Sequence, residues 1–245
     1  MTERKAKKED RGELIKQLKE DFTETEKVIL RRRSVRMYKK EQVPEFMVKR
    51  ILEAGRFAPS GGNCQPWKFI VLRDQKIINE MTDTVIQVCK KGRDFLDYSR
   101  PGMEKMESIS KFIIRIMKND LHWVPFGAMS MIADKRLGLW HGAPTVILIF
   151  SDQRGVGKPE LDCGIAGENM VIAAHSMGLG TCWVGFSKPC FDFPQKWGHY
   201  FGISYPFKFA SSLAVGWPEG NPDGMVVRQT HAVDWYENGV KKVVY

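Results

Sequence analysis

The sequence predicts one domain of mixed helices and strands, and three observations carry that reading. Apolar residues recur at helical spacing in several stretches, as at Met47, Val48, Ile51 and Leu52. Between such stretches lie short apolar runs bounded by turn-formers, Trp67 to Leu72 and Pro144 to Phe150 among them, which read as buried strands. The chain's 245 residues are enough for one substantial core, and its 43% hydrophobic and 27% charged residues are an ordinary globular balance, so no second domain is required. The longest apolar run, near Ala143 to Phe150, is far too short to span a bilayer. With no apolar signal region in the polar N-terminus, the expected location is cytoplasmic.

Taken in order, residues 1–22 form a basic N-terminal extension in which Lys and Arg alternate with Glu and Asp. It has little to bury beyond a possible stripe of Leu14, Ile15 and Leu18 that suits docking on a partner. Residues 23–245 form the domain. Thr23 and Glu26 have capping-box spacing and start a helix through Val28, Ile29 and Leu30 that delivers Arg31 to Arg36 at its C-terminal end. Pro44 suits the first turn of the next helix, which Gly55 and Ala58-Pro59 end. Asp74 caps a helix through Ile77, Ile78, Met81, Val85 and Val88. From about 92 to 140 the pattern changes to an excursion rich in aromatics and methionines, which reads as a lid or binding wall, with a plain core helix as the alternative for any single residue. Strands follow at Pro144 to Phe150, Gly180 to Phe186 and Phe209 to Trp217, with a buried helix from Asp162 to Met177 that Gly178 terminates.

Several chemistries drop out. The five cysteines lack CxxC spacing and the five histidines lack an i, i+4 pair, so neither a disulfide framework nor a metal site is expected. Gly155-Val156-Gly157-Lys158 lacks the spacing of a complete phosphate-binding loop, and no GxSxG or HExxH occurs. Gly178-Leu179-Gly180 follows a helix and precedes a strand, the wrong order for a dinucleotide turn.

What remains is the run Arg31-Arg32-Arg33-Ser34-Val35-Arg36, extended by Lys39 and Lys40 without one acid. Such a cluster repels itself, so it is either a solvated surface run or a socket relieved by a bound anion. Ser34 tips the balance, because forked guanidinium groups beside a short hydroxyl donor match the oxygens of a phosphate. One helix later, Pro59-Ser60-Gly61-Gly62-Asn63 is a run of turn-formers whose glycines let the backbone approach a flat ligand. The net charge of +9 invites a nucleic-acid reading, but much of the excess sits in this cluster and no nucleic-acid motif accompanies it.

The order RRSVR, short helix, APSGGNCQPW and later GLGTCW resembles the nitroreductase family of FMN-dependent oxidoreductases. The resemblance implies an α+β sandwich, a mostly antiparallel sheet surrounded by helices, in an interlocked homodimer with FMN at the subunit interface. It implies that Arg32, Arg33, Ser34 and Arg36 hold the FMN phosphate and pyrimidine edge, with Arg36 near the atoms that gain charge on reduction. Pro59, Ser60, Gly61 and Asn63 match the segment laid against the flavin by the other subunit. Thr181, Cys182 and Trp183 match the strand edge beside the ring, and Arg228 matches a C-terminal arginine returning to the phosphate.

The function this implies is reduction of an electron-poor acceptor, a nitroaromatic or quinone, with NAD(P)H as donor and FMN as intermediary. The same motifs resemble iodotyrosine dehalogenases, whose Glu, Tyr and Lys lid trio has no match between Gly92 and Trp140. Reductive dehalogenation and a specialised biosynthetic oxidation are the enzymatic alternatives. The alternative of another class is a flavin- or anion-binding protein whose basic N-terminus contacts nucleic acid. With no nucleophilic triad in the sequence, substrate choice falls to the excursion, with Phe112, Trp123 and Phe126 as candidate acceptor contacts.

Overall fold

The computed structural model describes residues 22–96, 108–109, 112, 115, 123–192, 196–220 and 232–243. Its centre is a four-stranded sheet in the order β1-β2-β4-β3, formed by Trp67–Leu72 (β1), Thr145–Asp152 (β2), Gly180–Trp183 (β3) and Phe207–Gly216 (β4). Every pairing in this sheet is antiparallel. β2 is buried along nearly its whole length, which explains its unbroken apolar run, since both faces are covered. Alternation along the strand sorts the core into two layers. Val146, Leu148 and Phe150 belong to one cluster, and Ile147 and Ile149 to the other.

Helices supply the opposite walls. On one side, Met47, Val48 and Ile51 of α2 (Glu45–Arg56) pack with Cys163, Met170, Val171 and Ala174 of α5 (Pro159–Ser176). On the other, Ile78, Met81, Val85 and Cys89 of α3 (Gln75–Leu96) meet Ile132 and Ala133 of α4 (Trp123–Ala133). Two short helices, α6 (Pro189–Asp192) and α7 (Lys196–Tyr200), close that second layer with Cys190 and Trp197. This is the expected α+β sandwich.

α1 (Glu24–Arg31) begins at the predicted capping box: the Glu26 amide donates to the Thr23 hydroxyl at 3.3 Å, and the Thr23 amide donates to the Glu26 carboxylate at 2.8 Å. α1 buries none of its residues, and Ile29 and Leu30 are exposed. The terminal hairpin of β5 (Asp234–Glu237) and β6 (Val240–Val243) presents Trp235, Tyr236 and Val240 to solvent.

The elements differ from expectation at their ends. α3 continues through Gly92 to Leu96, so the excursion starts later than expected. α5 begins at Pro159, where a proline fits the first turn, rather than at Asp162. β3 stops at Trp183 and gives way to a 3-10 turn at Gly185–Ser187, where Val184 donates to the Ser212 carbonyl. The excursion is also partly core: Trp140 is 2% exposed, and its indole N–H donates to Ser212 Oγ at 2.9 Å.

Two helical glycines mark close approaches. A Cβ on Gly167 of α5 meets the Trp183 ring at 2.1 Å, and one on Gly55 of α2 meets Met170 Cε at 2.3 Å, Met170 Cγ at 2.9 Å and the Ala166 carbonyl at 3.3 Å. Met170 is fully buried, so neither position can take a methyl without displacing packed neighbours. Gly167→Ala and Gly55→Ala are each expected to destabilise by about 1–3 kcal/mol despite the better helix propensity of alanine. Thermal unfolding of both variants checks this; an unchanged melting temperature in either would contradict it.

Candidate active site

The basic segment is fixed to the sheet by backbone. Ser34 forms a parallel bridge with Thr181, and the Val35 amide donates to the Thr181 carbonyl at 2.9 Å. The run after α1 therefore lies along the outer edge of β3. Val35 is buried over Gly180, where an added Cβ would come within 2.7 Å of the valine side chain, so this position requires glycine. The Tyr38 hydroxyl donates to the Val35 carbonyl at 2.7 Å, and Tyr38 bridges Pro218. Burial raises the Tyr38 pKa well above the ordinary range, so the phenol stays a donor. Because alternate residues of an extended segment point to opposite sides, burial of Val35 turns Ser34 and Arg36 the other way.

The arginines take separate roles. Arg36 lines a cavity of about 570 Å³, within the range of small-molecule sites, together with Cys182, Trp183, Gly185, Phe186, Lys188 and His141. Arg32 lies 3.6 Å from the Glu168 carboxylate, which also accepts from the Trp183 indole N–H at 3.4 Å. Arg33 donates to the Leu30 and Arg32 carbonyls, both at 2.8 Å, and so closes the C-terminal end of α1. The structure thus assigns Arg33 a helix-capping contact that the sequence reading did not foresee.

The predicted loop is also built, but elsewhere. Gly61–Asn63 forms a 3-10 turn in which Gly62, Asn63 and then Gln65 have positive φ. Its Gly61 amide donates to Asp162 Oδ2 at 3.2 Å, and a Cβ there would meet the Val156 carbonyl at 2.9 Å. The Ser60 hydroxyl accepts from the Gln65 amide at 3.0 Å. Asp162 is in the first turn of α5, whereas Glu168 is two turns on, so the loop and the arginines are separated along that helix by roughly 9 Å of axial rise.

Thr181, Cys182 and Trp183 lie on β3, with Cys182 and Trp183 on the cavity wall. Burial pushes the Cys182 thiol up, while Arg36 and Arg32 pull it down in part. Phe112 is helical and 62% exposed, away from the cavity-lining set. The side chains of Trp123 and Phe126, and Arg228 altogether, lie outside the described residues. α4, which carries Trp123 and Phe126 in sequence, contributes Ala128 and Ile132 to the cavity. Glu168, His141 and Lys188 were not singled out from sequence. The only hint was Gly185-Phe186-Ser187-Lys188-Pro189, a run of turn-formers directly after a strand. No cluster that could hold a metal ion occurs among the described residues.

Two histidines register the local positive field. Burial first, then Arg32 and Arg33, hold His175 below its ordinary value of 6.5; burial first, then Arg36, does the same to His141. Because the folded values are depressed, the native state binds fewer protons than the unfolded chain near pH 6. This contribution to stability is complete above pH 6.5 and lost as the pH falls through the folded values. An anion beside Arg32 offsets part of the field, so inorganic phosphate is expected to raise the His175 midpoint, read by NMR of its ring protons. An unmoved midpoint would put the anion elsewhere.

Comparison with known proteins gives the same outline. The family model described as Nitroreductase family matches residues 29–217. A protein of Methanothermobacter thermautotrophicus, provisionally named an NADH dehydrogenase/NAD(P)H nitroreductase, is 27% identical over 194 residues, covering 78% of this chain and 75% of that one. Among solved structures, an FMN-dependent nitroreductase from Clostridium difficile superposes with a TM-score of 0.59 at 26% identity, over 86% of this chain and 99% of its own. A nitroreductase from Desulfitobacterium hafniense with bound FMN superposes with a TM-score of 0.61 at 24% identity, over 86% and 98%.

Proposed function

Because the chain belongs to the nitroreductase family, we propose that it is an FMN-dependent oxidoreductase that takes electrons from NADH or NADPH and passes them to a small electron-poor acceptor such as a nitroaromatic or quinone. The observation that carries this reading is the Ser34–Thr181 bridge, which brings Arg32, Ser34 and Arg36 to the strand edge bordering the cavity. FMN is bound by the Desulfitobacterium hafniense neighbour, and NAD(P)H appears in the provisional name of the archaeal relative.

The residues present fit the cofactor. Arg32 and Ser34 suit a terminal phosphate. The cavity wall of Trp183, Val184, Gly185 and Phe186 suits a flat ring, since it joins apolar side chains to backbone. FMN, when bound, supplies hydride exchange between donor and acceptor. Arg36 fixes a cation on the cavity wall, which favours charge accumulating there during reduction. The apolar Ile132, Leu137 and Leu139 limit water around that charge. Cys182, held as a thiol, has no nucleophilic part.

A homodimer is part of the same proposal. The family resemblance matches the Pro59 to Asn63 loop with the segment that a second subunit lays against the flavin, and that loop is held in place here by the Gly61 amide donating to Asp162. Leu30 of α1, Phe46 of α2, Phe57 just after α2 and Leu161 of α5 are exposed apolar surface suited to that contact. The lid is proposed for the excursion between α3 and Trp140, because α4 supplies cavity wall from within it.

Heat-released cofactor identified by mass spectrometry should be FMN, from a protein that light scattering sizes as a dimer. Arg32→Ala and Arg36→Ala should each weaken FMN binding about ten- to hundredfold, as loss of one charge-assisted contact implies. FAD, or no flavin with salt-sensitive nucleic-acid binding instead, would overturn the reading. Trp123→Ala or Phe126→Ala should alter acceptor preference with FMN content kept; lower melting temperature with unchanged preference assigns them to the core.

A further inference from the structure

We propose that His141 is the proton donor to the acceptor, a role that rests on the flavin reading above. Three features of the structure converge on this side chain. It lines the same cavity as Arg36, Cys182 and Lys188. Its backbone is left-handed at φ 56°, a region that histidine enters more readily than most side chains, and is fixed by its amide donating to the Gly138 carbonyl at 3.2 Å. The turn from Leu139 to Pro144 that presents it is anchored by buried Trp140 and Ala143 on either side. The fold thus fixes the position of a histidine on the cavity wall.

The chemistry needs such a group. Reduction of the acceptor takes a hydride, which originates on the nicotinamide, and one further proton. A quinone then becomes a hydroquinone, and a nitro group becomes a nitroso group and water. The proton leaves the His141 imidazolium, which becomes neutral imidazole and is reprotonated from solvent, while the nicotinamide is left oxidised. The other titratable and charged groups lining the cavity serve poorly. Arg36 does not deprotonate. Lys188 is engaged by Asp192. Cys182 is a thiol pushed up by burial. Among the described residues, α4 contributes Ala128 and Ile132 to the cavity, neither of which titrates.

The neighbouring cation also times the proton. Arg36 adds to burial in keeping His141 neutral while the site carries no extra negative charge. Negative charge brought to the site by a bound reduced cofactor would offset Arg36, so His141 would gain its proton when the site is ready to pass a hydride on. Donor and acceptor half-reactions are thereby coupled through one side chain.

The test uses the FMN-loaded protein. His141→Asn keeps a residue that tolerates positive φ but carries no transferable proton, and His141→Gly leaves room for free imidazole. With 4-nitrobenzoate as acceptor, His141→Asn should slow flavin reoxidation about a hundredfold at pH 7 and abolish its pH dependence, and imidazole should restore rate to His141→Gly. Independently of turnover, NMR of the histidine rings, assigned with His141→Asn, should show the His141 midpoint rising when the holoprotein is reduced with dithionite. An unmoved midpoint, a retained pH profile in His141→Asn, or no rescue by imidazole overturns the proposal. A preparation that binds no FMN overturns the flavin reading itself, which cofactor content of the same samples separates from failure of His141.

Discussion

The site depends on one edge of one strand. β3 is the last strand of its sheet, and an uncovered edge is a row of unpaired backbone groups open to wrong pairing. The segment after α1 covers it through the Ser34–Thr181 bridge, and Val35 seals the contact against Gly180. Magnitudes show why a self-repelling segment stays there. A backbone hydrogen bond contributes about 1 kcal/mol and a buried valine about 1.5–3 kcal/mol. Repulsion between two exposed guanidinium groups is about 1 kcal/mol at contact distance in water. Packing wins, and the charges are carried to the cavity as a consequence of how the sheet is closed.

α5 then acts as the ruler of the site. Its first turn holds the Gly61 loop through Asp162, its middle holds Arg32 and Trp183 through Glu168, and its last turn carries His175 into the field of Arg32 and Arg33. The small residues of this helix have a specific use. Ala166, Gly167 and Ala174 are buried, which allows α2, the sheet and the Trp183 ring to approach closely. The same closeness makes Trp183 a link between core and cavity, since its ring packs on Gly167 and its neighbour Cys182 faces Arg36 across the cavity wall.

Much of this was legible because it is local. The capping box at Thr23, the strand at Trp67, the glycine stop at Gly178 and the turn at Gly61 each follow from a few adjacent residues, and each is present. What was not legible is set by tertiary partners. Trp140 reads as part of an aromatic excursion, yet Ser212 from a distant strand makes it core. The strand from Gly180 looks seven residues long, but β4 pairs with only four of them before the chain turns at Gly185. Arg33 reads as one more arginine of the socket, yet the end of α1 claims it, while the alternation imposed by Val35 turns Arg36 to the cavity. Glu168 and His141 carried no local signal, because an acid in a helix and a histidine before glycine are commonplace until their neighbours are known.

The disposal of the basic run also bears on what it recognises. A track for nucleic acid needs cations spaced along an accessible surface to follow a repeating phosphate backbone. Here Arg33 is turned onto carbonyls of its own helix, Arg32 is beside Glu168, and Arg36 borders an open cavity with largely apolar walls. Burial first, and then these same arginines, lower the pKa values of His141 and His175. That arrangement suits one compact anion attached to a flat apolar body. A phosphate and a ring joined in one small molecule satisfy both halves of the requirement, and a polyanion satisfies only the first.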